Sequence, residues 1–229
     1  MCRRADSFFA YGKRCEDYLI KEKMVPKNRV FGVHDHVVAP VAFSGKKSSR
    51  KIVFLFLGRL MDIKGILGMI RAFKLMNHSS RAELWIAGDG PLNDEVVREA
   101  GDLLGKKIFM YGYVDGAGKA KLLSAAHVMV LPSFIEGWGE VVNEAMFYGQ
   151  ALIVSDQVGG NVLVRGNGFI VRANDEEAIR DKMDFLASHQ AKLREMGALS
   201  RKIIAGASDY DDIEKAMRSA ILRAGGGRK

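Results

Sequence analysis

The chain has 229 residues, 48% of them apolar, and a formal charge of +8. That is enough for one large domain with a packed core, or for one domain and part of another. It holds no apolar run near the ~18 residues that a membrane-spanning helix needs. Lys and Arg are spread along the chain, with only short clusters at 46–51 and in the tail. There is no zinc-finger spacing and no RNP-like motif, so no nucleic-acid partner is expected. An anionic small ligand or an anionic membrane surface accounts for the charge instead. Cys2 and Cys15 match no metal spacing, and the charged N-terminus has no apolar signal segment. Both features point to free thiols and a cytoplasmic setting.

In chain order, residues 7–10 read as a strand, 13–22 as a helix and 29–33 as a β-like segment. This is too little to form a core of its own. Pro40 and the basic, serine-containing stretch 44–50 read as a linker. Beyond it, short apolar runs alternate with longer amphipathic segments. Strands are predicted over 52–57, 84–87, 108–111, 128–131, 151–154 and 169–171. Helices are predicted over 66–76, 93–104, 119–125, 140–148 and 175–187. Continuous apolar strands are those covered on both faces. The alternation predicts an α/β fold: a Rossmann-like parallel sheet with helices on both faces and right-handed crossovers. A helix over 191–204, a break over 206–209 and a last helix over 210–223 complete the chain, and the tail GGGRK reads as disordered. The expected organisation is a stub over 1–45, a ligand-binding domain over 46–205 and a closing helix and tail over 206–229.

Ligands of open α/β sheets bind beyond the carboxyl ends of the strands. After strand 52–57 come Gly58, Arg59, Asp62, Lys64 and Gly65. Two cations and two glycines there suit a diphosphate, Arg offering a planar fork and Lys a mobile charge. An ordinary solvated turn is the alternative. The loop Gly88-Asp89-Gly90-Pro91 resembles a dinucleotide fingerprint, but Asn93 stands at the third glycine position, so a tight strand-to-helix turn is the preferred reading. Tyr111-Gly112-Tyr113-Val114 offers backbone to the edge of a flat ligand, or is a turn with an exposed tyrosine. The richest stretch is 132–146, with Glu136 in a loop, Gly137-Trp138-Gly139 at a helix start, and Glu144 inside an apolar helical run. A helix start attracts anions, and Glu144 can accept two hydrogen bonds from a vicinal diol such as ribose. Alternatively, Glu136 and Glu144 are structural acids paired with basic residues. Glu140 faces solvent or caps. The five histidines are scattered without metal spacing and read as solvated or packed.

These pieces, in this order, resemble the retaining GT-B glycosyltransferases of the glycosyl transferases group 1 family. The matching stretches are GRLMDIKG at 58–65, AGDGPL at 87–92, GYV at 112–114, LPSFIEGWGEVVNEAM at 131–146 and NGF at 167–169. Glu136 and Glu144 form the family's E-x7-E pair. The resemblance covers about residues 50–190 and implies the C-terminal, donor-binding half of a GT-B fold. It implies further that residues 1–45 are a remnant of the N-terminal, acceptor-binding domain, most of which the chain lacks.

The resemblance assigns Arg59 and Lys64 to the donor diphosphate, Glu136 to the transferred sugar and Glu144 to the ribose. Arg59, Lys64 and Glu136 would be the catalytic group. Gly58 joins the donor site, Tyr113 and Val114 border the base, and the backbone of Gly137, Trp138, Gly139, Glu140 and Val141 faces sugar and phosphates. No metal and no cofactor are implied beyond the nucleotide-sugar donor. The acceptor, a sugar, a lipid-linked sugar or another group, would be bound by the missing domain, with peripheral contact at the inner face of a membrane. The chain departs from the family pattern at 161–166, a loop shorter than usual. Two alternatives stay open: a nucleotide-binding fragment that catalyses nothing alone, and a GT-B nucleotide-sugar 2-epimerase.

Overall fold

The structure, a computed structural model, describes residues 5–33, 47, 51–207, 214 and 217–222. Cys2, His34, His36, Pro40, the linker apart from Lys47, and the tail lie outside the described residues. The chain divides into two compact units, one of residues 1–38 with 206–229 and one of residues 39–205.

In the smaller unit, β1 (Phe8–Tyr11) pairs in parallel with β2 (Val30–Val33). The helix expected over 13–22 is α1 (Lys13–Asp17) followed by a π-helical turn, Tyr18–Glu22. Ala10, Val25 and Ala220 are buried in this unit. Arg29 donates to the carbonyls of Ala5 and Asp6, and Cys15 is a free, half-buried thiol. Residues 217–222 are helical.

In the larger unit the apolar runs become β3 (Ile52–Leu57), β4 (Ala82–Ala87), β5 (Ile108–Met110), β6 (Val128–Leu131), β7 (Ala151–Ser155) and β8 (Gly168–Val171). Between and after them lie α2 (Ile66–Lys74), α3 (Asn93–Ala100), α4 (Gly116–Ala125), α5 (Glu140–Phe147), α6 (Glu176–Ser188) and α7 (Gln190–Ala207). Three predicted bounds need correction. α3 stops at Gly101, whose φ of 53° ends the helix, and a 3₁₀ turn follows. α4 starts three residues before the predicted 119, after Asp115. No break occurs at Gly206, because α7 runs through it to Ala207. The short segment after β7 folds into a 3₁₀ turn, Gly159–Leu163. Asp175 caps α6, accepting from the Ala178 N–H at 2.8 Å.

All six strands are parallel, in the order β5-β4-β3-β6-β7-β8. Counted from the first strand of this sheet, that is the 3-2-1-4-5-6 order of the doubly wound Rossmann sheet, whose direction of winding reverses between β3 and β6. Nearly all of β3 and all of β6 and β7 are buried. This is why they read as unbroken apolar runs. β4, with Glu83 and Trp85 half-buried, alternates.

The loops at the carboxyl ends are tied edge to edge by backbone hydrogen bonds. Gly88 N–H donates to Gly112 O (2.7 Å), Leu60 N–H to Asp89 O (3.0 Å), Phe134 N–H to Ile63 O (2.7 Å) and Gly160 N–H to Trp138 O (2.7 Å). Such contact requires missing side chains. A Cβ on Gly88 would lie 1.9 Å from Gly58 O, and Gly88 also has φ of +142°. A Cβ on Gly159 would lie 1.9 Å from Gly137 O.

At the opposite ends of the strands, His127 and Val53 bond reciprocally. His127 N–H donates to Val53 O (2.9 Å), and Val53 N–H donates to His127 Nδ1 (3.1 Å). The ring is therefore neutral, with its proton on Nε2. Burial, aided by the charge on Lys47, pulls its pKa from 6.5 down to about 4.

Two outcomes follow. Gly88→Ala should lower stability by at least ~2 kcal/mol. Gly137→Ala, where a Cβ meets nothing within 4 Å, should change it by less than ~0.5 kcal/mol; chemical denaturation of both variants checks this. For His127 the unfolded chain takes up the proton first, so its contribution is complete above pH 6.5 and is lost as pH falls toward 4. That contribution is about 3 kcal/mol. Urea midpoints between pH 7 and 4 should therefore fall less steeply in His127→Gln than in wild type.

Candidate functional site

The reversal in winding opens the sheet's carboxyl edge between β3 and β6, and loops from β3, β4, β5 and β6 surround it. A cleft of about 360 Å³ lies beside it, beyond the ends of β3, β4 and β5, walled by Leu57, Gly58, Arg59, Ala87, Gly88, Asp89, Tyr113 and Val114. Four residues singled out from the sequence, Gly58, Arg59, Tyr113 and Val114, thus meet in one cavity. Arg59 is exposed and has no ion-pair partner among the described residues. Tyr113 is 75% exposed, a flat apolar face left uncovered. The backbone strap Gly88-Asp89-Gly90 closes one side; Asp89 is occupied by the Gly90 N–H and by Asn93. This is the tight turn preferred for that loop.

Lys64 and the two acids do not wall this cleft. Lys64, in the 3₁₀ turn Asp62–Lys64, forms an ion pair with Glu136 that bridges the β3 and β6 loops. Both side chains are mostly covered, at 18% and 17% exposure. Glu144, one turn into α5, pairs with Lys119 of α4 at 2.6 Å through Oε1. Its other oxygen, Oε2, is buried with no hydrogen-bond partner among the described residues. The reading of Glu136 and Glu144 as acids paired with bases thus describes the protein without ligand. The unused Oε2 still marks Glu144 as an acceptor short of a donor.

The stretch between the acids divides by side chain. Trp138 is buried at 5% exposure and Val141 at 9%, so these two can offer only backbone to a ligand. Gly137 and Glu140 are exposed. Gly139 takes φ of 84° immediately before α5, and a Cβ there would press on Leu131 at 2.9 Å. Burial, with the charge of Glu144, raises the phenol pKa of Tyr148 at the end of α5.

Lys119 is the residue that sequence reasoning missed. Its surroundings, GAGKAKLL, look like a solvated helix start, and it lies 25 positions from Glu144. The available signal was topological: the helix joining β5 to β6 must pass the winding reversal, beside α5.

A family model described as glycosyl transferases group 1 matches residues 41–203. An uncharacterized glycosyltransferase of Methanocaldococcus jannaschii is 38% identical over 117 residues, covering 51% of this chain and 30% of that protein. The D-rhamnosyltransferase WbpZ of Pseudomonas aeruginosa is 30% identical over 149 residues, covering 63% and 38%. The chain spans well under half the length of these two relatives. Among solved structures, a mutant of S. aureus TarM in complex with fondaparinux, alpha-GlcNAc-glycerol and UDP aligns with a TM-score of 0.81. It is 18% identical, and the alignment covers 95% of this chain and 43% of that one. Anabaena HepE in complex with UDP and glucose aligns with a TM-score of 0.77 at 16% identity, covering 96% and 62%. At such identities the structural likeness establishes the fold.

The Lys64–Glu136 pair sits between the exposed and the buried regime. A double-mutant cycle with Lys64→Met and Glu136→Gln, read by denaturant unfolding, should give a coupling of about 1–3 kcal/mol.

Proposed function

The chain belongs to the glycosyl transferases group 1 family, and we propose that it is the donor-binding part of an enzyme that transfers a sugar, with retention, from a nucleotide diphosphate to an acceptor. One observation carries the reading. Arg59, Gly58, Tyr113 and Val114 converge on a single cleft beyond the carboxyl ends of β3, β4 and β5, the edge of the sheet at which open α/β folds bind their ligands.

In this reading the base lies against Tyr113 and Val114, and Glu144 takes the ribose. Swinging Lys119 away from Oε1 opens the carboxylate to the diol, which supplies the donor that Oε2 lacks. The diphosphate meets Arg59 as a bidentate partner. It also competes with Glu136 for Lys64, whose ammonium keeps two further N–H groups when paired. The competition releases Glu136 toward a sugar hydroxyl. As the glycosidic bond to the diphosphate breaks, charge grows on the leaving oxygens. Arg59, Lys64 and the amino end of α5 stabilise it without a metal ion.

A second reading, binding without turnover, is favoured by the share of its relatives that the chain spans. Acceptor recognition would then belong to a domain outside it, together with any contact to lipid-linked acceptors or to a membrane. Among the described residues no helix is long and apolar enough to cross a membrane. Sugar transfer by this chain alone would sink the binding-only reading.

Calorimetry with UDP, GDP and ADP tests the donor site directly. At least one should bind, and Arg59→Gln should weaken that nucleotide by about 10–100-fold. No heat with any of the three overturns the assignment. In a protein that includes the acceptor-binding domain, Arg59→Ala should reduce kcat/KM by about 10²–10³, and near-normal turnover would remove Arg59 from the site.

A further inference from the structure

The opposite edge of the sheet holds a larger cavity that the donor site does not use. It measures about 550 Å³ and lies where β3, β6 and β7 begin, between those strand starts and α7. Lys47, His127, Gln190, Arg194 and Arg201 supply its polar walls, and Ile52 and Leu193 its apolar ones. Among the described residues three cations thus face one space, and none of the lining residues carries a carboxylate.

Part of this charge has a structural task. Lys47 donates to Gly149 O at 2.6 Å and Arg201 to Tyr148 O at 3.1 Å. These carbonyls follow the end of α5, where cations are favoured. The two contacts use one of three donors on Lys47 and one of five on Arg201. Arg194 makes no such contact and has no partner among the described residues. The walls are firmly set. Gly197 packs so closely on Gly149 that a Cβ would lie 2.4 Å from its carbonyl oxygen. The buried Ser200 hydroxyl donates to Gln150 O at 2.6 Å and accepts from Asn167 at 3.1 Å. His127 spends Nδ1 on Val53 and keeps an Nε2–H donor. Burial and the nearby Arg201 pull the pKa of Lys47 from 10.5 down to about 8, the sign of a cation without a counter-charge among the described residues.

We propose that this cavity is a second binding site, for a phosphate monoester, in which Arg194, Arg201 and Lys47 bind the phosphate and Ile52 and Leu193 contact the organic part. Two guanidinium forks and an ammonium match the several oxygens of a phosphate better than a single carboxylate. The volume exceeds that of the bare anion and leaves room for the esterified group. The same phosphate chemistry is available from a soluble phosphoester or from a phospholipid headgroup.

Inorganic phosphate is the first probe, read by NMR at the His127 ring and by calorimetry. Titrating the Arg59→Gln protein keeps the donor cleft from contributing, so this result stands apart from the nucleotide titrations. Saturable shifts of the His127 signals are expected below about 20 mM. Arg194→Gln should weaken them by about fivefold or more, and Lys47→Gln in addition should abolish them. Vesicles of phosphatidylcholine with and without phosphatidic acid then separate the sources. Sedimentation with phosphatidic acid vesicles that is lost in Arg194→Gln assigns a lipid headgroup. A phosphate response without vesicle binding assigns a soluble phosphoester. No response of His127 to phosphate, or an equal response in Arg194→Gln/Lys47→Gln, overturns the site.

Discussion

The site depends on peptide groups that meet with no side chain between them. The Gly58 carbonyl occupies the space where Gly88 would carry a Cβ, and the Gly137 carbonyl does the same at Gly159. With the backbone hydrogen bonds beside them, five neighbouring loops, those after β3, β4, β5, β6 and β7, join into one hydrogen-bonded sheet of backbone beyond the strand ends. Arg59 and Glu136 are therefore set by the frame of the fold and not by free loops. A site held this way needs little reorganisation when charge develops in it, which is the condition for electrostatic stabilisation.

The charges are arranged to suit that frame. Each acid of the E-x7-E pair has its own lysine, Lys64 for Glu136 and Lys119 for Glu144. Without ligand the carboxylates are thus compensated, which partial burial requires. Arg59 has no ion-pair partner among the described residues and shares the cleft wall with the carboxylate of Asp89, which is held by the Gly90 N–H and by Asn93. Arg59 is thus available to a ligand, while each lysine can trade its carboxylate for a ligand oxygen.

Much of this was legible in the sequence for identifiable reasons. β3, β6 and β7 are covered on both faces, so their apolar runs could be nothing but core. Only Gly88 and Gly159 are sterically required in these contacts, since a Cβ on Gly58 would meet just the Phe56 ring at 3.7 Å and one on Gly137 nothing within 4 Å, and the fold alone reveals which glycines those are. Glu144 declared itself as an acid in an apolar helix. Its partner Lys119 did not, because a lysine near an exposed helix start looks alike whether it pairs or is solvated. The cavity at the amino edge was equally hidden. Lys47, His127, Arg194 and Arg201 come from a linker, a strand start and a late helix, and only the order of strands brings them together.

Helix α5 joins the two edges and shows why their cations differ in meaning. Its amino end follows Gly139 beside the proposed donor site, and its carboxyl end leads to the carbonyls of Tyr148 and Gly149. A helix dipole favours anions at the first end and cations at the second. Arg201 and Lys47 answer that demand, each through one contact to those carbonyls. Helix capping therefore explains two of the three cations in the second cavity and why they stand so close together. It does not explain Arg194, which lies on α7, lines the cavity and reaches no carbonyl among the described residues. Arg194 is exposed, so solvent and salt screen its charge and the fold does not require an anion there; it is the guanidinium left over from capping, and that surplus is what separates a binding site from a helix cap.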